Sequence, residues 1–454
     1  MSAIEELDRT VLLCRDYVTE TATGEQIVFG LRSTRILCIS DIRNLSSHSG
    51  QTALVTLVCL LTRMGMQVSI DIPEVPMLGL QPPLKGRLLR SALIGANGTL
   101  ISAAAVYGEP CSEPDLTFVL GDTDIDNRYA WRLSGDEWHG EVSLQAGTRS
   151  SRWTASWPVG SMVSAALAAA EAFKFTILRL PFRDPADRVF FSPSFSCGWS
   201  FGPLAVPTGP LDLGEVDVIS AGAICQAALY ALVRLPGVSM RGRVLDDDVT
   251  SRPNLNRNML SRVGDVGLKK VLVITRECGS RFQLEPIAER FGGRVNNLKL
   301  APRIIIGVDD IPSRWAVQRV TPGWLGVSGT SHFSISSSAH APGEPCCGCL
   351  HPVDEETGAN PIPTISFVSF WAGLALTVRL TAEALRTPFQ RNRQHLWLTP
   401  LRMDGEHAAI WSPVAISHDC PVRCVPSRSL PPKEVHRVPA RTPSEADGRA
   451  GGGI

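Results

Sequence analysis

The sequence predicts an α/β protein built from two consecutive halves with the same order of elements. Short runs of branched apolar residues alternate with apolar segments of helical length, which is the pattern of a parallel sheet covered by helices. This strand, helix and strand pattern occurs over residues 35–71 and again over residues 216–246. In each half, a later strand ends in acidic residues and a long helix of small residues follows. We therefore expect two α/β domains in tandem.

Composition excludes several functional classes. The 454 residues are enough for two or three domains. The 44 basic side chains equal the 44 acidic ones, and this balance argues against a nucleic-acid partner. The first ten residues, MSAIEELDRT, do not have the pattern of a signal peptide. The longest apolar runs, such as 365–378, are shorter than the ~20 residues that span a bilayer. We expect a cytoplasmic protein without a membrane partner.

The second half contains the signature of a nucleotide-binding strand–helix–strand unit. Its first strand, 216–219, leads into Ser220-Ala-Gly222 at a predicted helix start, where free backbone N–H groups favour phosphate oxygens. Its second strand ends at Leu245 and is followed by Asp246, Asp247 and Asp248. A carboxylate at this strand end is where such a unit contacts the ribose of its nucleotide.

Further polar residues follow in two blocks of fixed spacing. The first block is Asp246-x-Asp248, Asn254-Leu-x-Arg257, Asp265-Val-Gly267 and Lys270, and the second is Asp309 with Arg314 five residues later. Together these blocks resemble the ATP site of ThiF/MoeB-type adenylating enzymes, the superfamily of the ubiquitin-activating enzymes. The resemblance implies a Rossmann-like ThiF fold for the second half.

In that family, the carboxyl terminus of a small protein attacks the α-phosphate of ATP, giving an acyl-adenylate and pyrophosphate. The resemblance therefore implies a ubiquitin-like modifier-activating enzyme, with ATP and Mg²⁺, whose partner is a small ubiquitin-like or sulfur-carrier protein. Such a transition state requires fixed cations and a magnesium ion. By resemblance, Arg257 and Lys270 would bind the phosphates, Asp309 would hold Mg²⁺, and the nucleotide would also contact Gly222, Asp246 (at the ribose), Asp248 and Asn254.

The glycine turn departs from the family pattern. Gly-x-Gly-x-x-Gly is usual, whereas this chain has Ser220, Gly222 and Cys225 at the three places. Only Gly222, which lets the backbone approach a phosphate, is retained. The departure favours a second hypothesis, a non-catalytic scaffold of the same fold that binds a partner protein. An NAD-dependent oxidoreductase is a third, but it would depend more on the glycine turn and would not need the Asn-Leu-Asn-Arg block.

Two pairs of cysteines predict a structural zinc site. Cys346 and Cys349 form one pair, and Cys420 and Cys424 form another about seventy residues later. Two such turns can complete a closed tetrahedral site, and ThiF/MoeB enzymes often carry this pattern. Reduced buried cysteines, or a reactive Cys347 beside them, are the alternatives. Cys278 and Cys347 are the two candidates for an acyl-accepting cysteine.

The first half lacks the Asn-Leu-x-Arg block, the lysine and the glycine turn. We therefore interpret residues 1–181 as an inactive adenylation-like domain, with an unrelated α/β domain as the alternative. Family resemblance suggests a pseudo-dimer within one chain, monomeric or further dimerised, in which the first half lends Arg9 or Arg15 to the active site. Residues 182–214 are predicted as a linker, 215–424 as the adenylation domain with its zinc site, and 425–454 as a disordered tail.

Overall fold

The computed structural model describes residues 3–125, 130–144, 153–202, 204–292, 298–354, 363–387, 391–405 and 408–424. The predicted tail, 425–454, lies outside these described residues. The described chain forms an α/β structure with two mixed sheets.

The first sheet has seven strands in the order β3-β2-β1-β4-β5-β6-β7. Its strands are β1 (Arg35–Ile39), β2 (Gln67–Asp71), β3 (Ala105–Tyr107), β4 (Leu116–Leu120), β5 (Trp131–Gly135), β6 (His139–Leu144) and β7 (Ser196–Ser200). The first five strands are parallel, and the last two are antiparallel to their neighbours. Apolar side chains such as Ile36 and Cys38 on β1 are buried, which explains why this run forms an interior strand.

The second sheet has eight strands in the order β10-β9-β8-β11-β12-β13-β14-β15. They are β8 (Leu211–Ile219), β9 (Val238–Leu245), β10 (Phe282–Ile287), β11 (Arg303–Ile306), β12 (Trp324–Ser331), β13 (Ser334–His340), β14 (His395–Leu398) and β15 (Ala409–Ser412). The first five in chain order are parallel and the last three antiparallel. The first seven strands therefore repeat the order and direction of the first sheet.

The described chain contains twelve α-helices, of which the first two precede β1. They are α1 (Ala3–Arg15), α2 (Gly24–Ser33), α3 (Ile42–Leu45), α4 (His48–Arg63), α5 (Leu89–Gly95), α6 (Val159–Ile177), α7 (Asp187–Phe190), α8 (Ala223–Arg234), α9 (Lys270–Cys278), α10 (Ile311–Arg319), α11 (Cys347–Leu350) and α12 (Ser366–Ala384). None of these helices is long and apolar enough to cross a membrane.

The two halves share one hydrophobic core. Buried side chains of α4 and α6 from the first half and of α8 and α12 from the second belong to a single cluster. Hydrogen bonds also cross between the halves, from Ser366 Oγ to the Leu60 carbonyl at 3.1 Å and between Thr56 Oγ1 and the Tyr230 hydroxyl at 3.1 Å. The α6 and α12 helices, which are the long helices of small residues that the sequence predicts in each half, are buried over nearly their whole length.

The segment 182–214, which sequence predicts as a linker, contains regular structure. It includes α7 and β7, as well as the start of β8 at Leu211. Strand β7 pairs with β6 and completes the first sheet, although its own residues are mostly small and polar. Hydrogen bonds to the backbone of an existing sheet edge order this segment, and such pairing leaves no apolar periodicity in the sequence.

Candidate functional site

The main cavity lies at the carboxyl ends of β8 and β11, where the strand order of the second sheet reverses. Open α/β sheets bind ligands at such a reversal, because the loops diverge and leave a crevice. The cavity is open to solvent and has a volume of about 820 Å³. The side chains and backbone that line it are those of Arg9, Ser220, Gly222, Ala223, Ile224, Asp246, Asp248, Asn254, Arg257, Asn258, Lys270, Gly307, Val308, Asp309, Arg314, Gly329, Thr330, Thr364 and Ser369.

All seven residues that sequence assigns to catalysis or nucleotide binding line this one cavity. They are Gly222, Asp246, Asp248, Asn254, Arg257, Lys270 and Asp309. These positions span nearly ninety residues of chain and come from five different loops or helix starts, so the fold brings them together. Their chemical roles remain predictions.

The turn after β8 is sharp although Ser220 stands at the place of the first glycine. Ser220 has a positive φ of 91°, a region that is strained for a residue with a side chain. Its hydroxyl accepts a hydrogen bond from the Gly222 N–H at 3.0 Å. The Asp246 carboxylate accepts from the Ala221 N–H at 2.7 Å and from the Asp248 N–H at 2.8 Å. Asp246 therefore fixes the turn as well as facing the cavity.

Cys225 stands at the place of the third glycine, and Gly307 on the facing strand end leaves room for its side chain. Its thiol is buried beneath the end of β8 and contacts the Ile219 carbonyl at 3.7 Å. A Cβ atom placed on Gly307, just after β11, would lie 3.0 Å from Cys225 Sγ and 2.9 Å from Ile224 Cβ. The absence of a side chain at Gly307 thus permits the close helix–strand contact that a glycine on the helix usually permits.

Four cationic side chains line the main cavity. They are Arg9, Arg257, Lys270 and Arg314. Arg257 donates from Nη1 to the Pro253 carbonyl at 2.5 Å and to Asn256 Oδ1 at 2.8 Å. Burial, aided by the charge of Arg9, lowers the pKa of Arg257 to about 10, so it remains protonated at neutral pH. An anion in the cavity would relieve this repulsion between the two guanidinium groups.

Lys270 and Asn254 are positioned by the loops that carry them. Lys270 begins α9, and its Nζ contacts Asp248 Oδ2 at 2.5 Å. Its backbone N–H donates to the Asp248 carbonyl at 3.1 Å, so the two loops are paired along the chain as well. Asn254 Oδ1 accepts from the Ser251 N–H at 3.0 Å and closes the turn that precedes Arg257.

Arg9 reaches the cavity from the first half, whereas Arg15 does not line it. Helix α1 packs on the turn Arg252–Asn254 of the second half. Glu6 Oε1 lies 3.3 Å from Arg252 Nη1, and the Asn256 amide donates to Thr10 Oγ1 at 3.1 Å. Because Arg9 lies between Glu6 and Thr10 on the same helix, these two contacts place Arg9 beside Arg257. Arg15 ends α1, where its carbonyl accepts from Arg183 at 3.2 Å.

Arg314 and Asn258 also line the cavity, although sequence assigns neither of them a role. Arg314, on α10, is buried and donates from Nε and Nη2 to the Val308 carbonyl at 3.1 and 2.9 Å. Burial lowers the pKa of Arg314. Asn258 is 2% exposed, and its side-chain N–H₂ group has no hydrogen-bond partner among the described residues. Its position directly after Arg257 in the Asn-Leu-Asn-Arg block was the available signal.

A side cavity adjoins the main one and shares Ser220, Asp246, Asp248, Val308 and Asp309 with it. Four of its other lining residues are apolar, Ile219, Leu245, Phe291 and Val317, and four are polar, Asp247, Arg290, Asp310 and Ser313. Asp309 is exposed at the boundary between the two cavities, whereas Asp310 caps α10 through the Ser313 N–H at 2.8 Å. The site therefore has a compartment lined by four cations, a second compartment with both apolar and polar walls, and carboxylates that line both.

The four predicted zinc ligands form one cluster. The sulfur atoms of Cys346, Cys349, Cys420 and Cys424 all lie within 4.8 Å of one another. Cys346 to Cys420 is 3.4 Å and Cys349 to Cys424 is 3.3 Å, with 4.0 Å within each pair. A tetrahedral ion with Zn–S bonds of about 2.3 Å would separate its ligands by about 3.8 Å. The donor set therefore fits a metal.

Neither candidate acceptor cysteine is accessible. Cys278 and Cys347 are both buried, and burial raises the pKa of each thiol, that of Cys347 to about 12. Cys347 Sγ also contacts the Arg314 carbonyl at 3.4 Å. Only the thiolate is a nucleophile, so neither side chain is prepared for acyl transfer in this structure.

In the first half, the place between the ends of β1 and β4 is filled by Asn44. Its amide donates to Asp41, Asp122 and Thr123 at 3.0, 3.0 and 3.1 Å. A Cβ on Gly121 would lie only 2.2 Å from Asn44 Oδ1. Arg43 Nη2 also lies 2.6 Å from Asp41 Oδ2, beside the ends of these strands. These side chains occupy the position that is open in the second half.

Comparison with known proteins gives partial matches. A family model described as the BilD N-terminal domain matches residues 35–182, which include β1 to β6 and α6 but none of the second sheet. An uncharacterized protein, y4jF, from Sinorhizobium fredii (strain NBRC 101917 / NGR234) is 30% identical over 149 residues. That match covers 31% of this chain and 28% of the relative, so the chain spans under a third of its length.

Solved structures of E. coli MccB are similar in part. A crystal structure of MccB with MccA is 16% identical over 46% of this chain and 66% of that one, with a TM-score of 0.38. MccB with AMPCPP and MccA is 15% identical over 66% of this chain and 98% of that one, with a TM-score of 0.39. These TM-scores are below 0.5, so the likeness carries no argument about function, which has to come from the residues of the site.

Proposed function

We propose that the second half binds ATP and adenylates the carboxyl terminus of a small protein. The observation that carries this proposal is the main cavity, where four cations from separate elements face one crevice and Asp309 lies exposed at its edge. Four converging cations suit a polyphosphate better than a dinucleotide, whose pyrophosphate is usually bound by a glycine turn.

ATP would span both cavities. The base would enter the side cavity between Phe291, Leu245 and Val317, and Asp246 would contact the ribose. The triphosphate would lie in the main cavity, against the N–H groups at the start of α8 and the guanidinium groups of Arg257 and Arg9. Lys270 would exchange its contact with Asp248 for a phosphate.

In the reaction, a substrate carboxylate oxygen bonds to the α-phosphorus as the bond to the bridging oxygen of pyrophosphate breaks. Negative charge grows on the phosphorus and on the leaving pyrophosphate, and the fixed cations stabilise it. Arg314 and Asn258 would donate to the same oxygens. Asp309 would hold Mg²⁺, which would neutralise further phosphate charge when bound.

The substrate would be a ubiquitin-like or sulfur-carrier protein with a narrow carboxyl terminus. Four of the residues in the wall of the main cavity are small, Gly329, Thr330, Thr364 and Ser369. Such a wall leaves room for an extended tail but little for a bulky terminal side chain. The small residues that would enter support a Gly-Gly end.

The first half would be an inactive copy of the same fold. The shared order and direction of seven strands support tandem copies, and Asn44 occupies the place where a nucleotide would bind. Its contribution would be Arg9 and the packing surface for α8 and α12. The Cys346, Cys349, Cys420 and Cys424 cluster would hold a closed structural Zn²⁺ away from the chemistry.

The test is ATP–pyrophosphate exchange with magnesium and small proteins that end in Gly-Gly, added singly. Arg257→Ala and Asp309→Ala are each expected to lower exchange at least ~100-fold, because each removes a charge that acts on the transition state. Arg241→Ala and Asp212→Ala are matched controls. Both residues are exposed, they pair with each other at 3.7 Å, and neither lines the cavities.

Exchange that depends on the partner's carboxyl terminus and is lost only in the site variants would establish the activity. ATP binding without exchange for any partner would contradict it and favour the second candidate, a scaffold that binds a partner protein. One observation favours that candidate: Lys270 and Asp246 already have contacts within the protein, to Asp248 and to the turn at Ala221.

A further inference from the structure

Arg63 of the first half bonds to a segment of the second half that contains two residues lining the main cavity. Its side chain is fully buried at the end of α4. Nη1 donates to the Leu255 carbonyl at 2.5 Å, and Nη2 donates to the Met259 and Ser261 carbonyls at 3.1 and 2.7 Å. Between these carbonyls lie Arg257 and Asn258, both of which line the main cavity. We call residues 255–261 the anchored segment.

Burying a guanidinium group in this space is energetically unfavourable, because the charge loses its hydration. Among the residues that the structure describes, no carboxylate pairs with Arg63, and burial lowers its pKa to about 10. The negative end of the α4 dipole offsets part of the cost. An apolar side chain would pack at lower cost if packing were the only requirement. The planar fork instead satisfies three carbonyls that would otherwise be buried without donors.

Other contacts between the halves touch this region, but none that the described parts of the chain make joins its two ends. Glu6 contacts Arg252, which precedes the anchored segment, and Thr10 contacts Asn256 near its start. Arg63 alone among the described residues bonds to both Leu255 and Ser261. It therefore fixes the span and curvature of the chain on which Arg257 and Asn258 are mounted.

We propose that Arg63 is a positioning residue through which the first half sets the geometry of the nucleotide site. This inference rests on the proposed function, since the ligand is taken to be ATP. The first half would then be a permanent part of the site. It could lack a nucleotide pocket of its own and still hold the anchored segment in position.

The experiment compares Arg63→Ala and Arg63→Lys with Arg234→Ala. Arg234 is a matched control, because it is equally buried between the halves but donates to the Tyr230 and Pro82 carbonyls at 2.9 and 2.6 Å. Amide hydrogen exchange of 254–262 is measured without ligand, and the Kd of a fluorescent ATP analogue is measured by titration.

Arg63→Ala is expected to speed exchange in 254–262 and to weaken nucleotide binding, each about 10-fold, as for the loss of a buried charged hydrogen bond. Arg63→Lys keeps the charge without the fork and should give an intermediate effect. Guanidinium ion at millimolar concentration should restore binding to Arg63→Ala. Arg234→Ala should leave both quantities within about 2-fold of wild type, since it does not contact the anchored segment.

Equal exchange in the Arg63 and Arg234 variants would overturn the inference, as would faster exchange with unchanged nucleotide affinity. If Arg63→Ala does not fold, Arg63→Lys supplies the same comparison. A wild-type protein that binds no nucleotide would instead refute the proposed function and, with it, the role of Arg63 at a nucleotide site. The exchange data would then still decide whether Arg63 holds the segment.

Discussion

At the scale of single residues, the site combines strain and unmet hydrogen bonds. Ser220 has a left-handed backbone, and Asn258 is buried with an unpartnered amide N–H₂ group among the described residues. Both features lower the stability of the folded state. Proteins tolerate such costs mainly where a ligand is bound, so these two residues support the location of the site independently of its charges.

The strain at Ser220 predicts an order of stability among variants. Ser220→Gly and Ser220→Ala both remove the hydroxyl that accepts from Gly222, but only glycine relaxes the positive φ. We expect the glycine variant to be more stable than the alanine variant by about 1 kcal/mol, measured by urea unfolding. Equal stabilities would show that the turn is not strained.

Asn258 predicts opposite effects on stability and binding. Asn258→Leu removes a buried donor that has no partner among the residues that the structure describes, so the melting temperature of the unliganded protein should not fall. The affinity for ATP should decrease about 10-fold, because the lost amide would donate to a phosphate. Calorimetric melting and ligand titration measure the two effects. A lower melting temperature with unchanged affinity would assign Asn258 a structural role.

At the scale of elements, glycines of neighbouring elements set the contacts of α8. Gly307 leaves room for Cys225 at the helix start, and Gly373 on α12 lets the two helices approach closely. A Cβ on Gly373 would lie 2.5 Å from the Ile224 carbonyl oxygen. The start of α8, which faces the cavity, is thus fixed from both sides by elements that follow it in sequence.

The contact between Gly307 and Cys225 can be tested by a double-mutant cycle. Gly307→Ala is expected to lower the free energy of unfolding by about 1–3 kcal/mol through overpacking against Ile224 and Cys225. Adding Cys225→Ala should recover part of this loss, because it removes the sulfur atom from the contact. Additive effects in denaturant unfolding would show that the two residues are not coupled.

At the scale of the whole molecule, the two halves form a single structure. One hydrophobic cluster extends through both, and buried residues of each half bond to the backbone of the other. The main cavity receives Arg9 from the first half and the remaining lining residues from the second. Loss of either half would therefore remove part of the site.

This continuity predicts that the second half does not fold alone. Residues 204–424 expressed without the first half would expose the apolar faces of α8 and α12, and we expect an aggregated or molten product by near-ultraviolet circular dichroism. Co-expression with residues 1–203 should restore a soluble complex. A monomeric, cooperatively unfolding 204–424 fragment would contradict the prediction.

The cysteine cluster predicts about one zinc ion per chain. Cys420→Ser should reduce the zinc content, measured by elemental analysis, and lower the melting temperature, because a structural site contributes folding energy. Cys111→Ser is the control, since Cys111 lies outside the cluster and is only partly buried. Equal zinc contents in the two variants would refute the assignment.

The sequence by itself determined the α/β class, the positions of the principal strands and helices and seven of the residues that line the main cavity. The strand, helix and strand pattern predicted over residues 35–71 and 216–246 is present in the structure, because interior strands and buried helices carry strong apolar patterns. The cavity residues were recognisable because polar blocks at fixed spacing follow strand ends, where a parallel sheet exposes its loops.

Only the tertiary structure decided what depends on contacts between distant segments. It placed Arg9 rather than Arg15 at the cavity, paired β7 with the first sheet, and buried Cys278 and Cys347. It also showed that Gly307 accommodates Cys225 and that Arg63 reaches across the halves to Leu255 and Ser261. Such contacts depend on packing between residues up to two hundred positions apart, which no local pattern encodes.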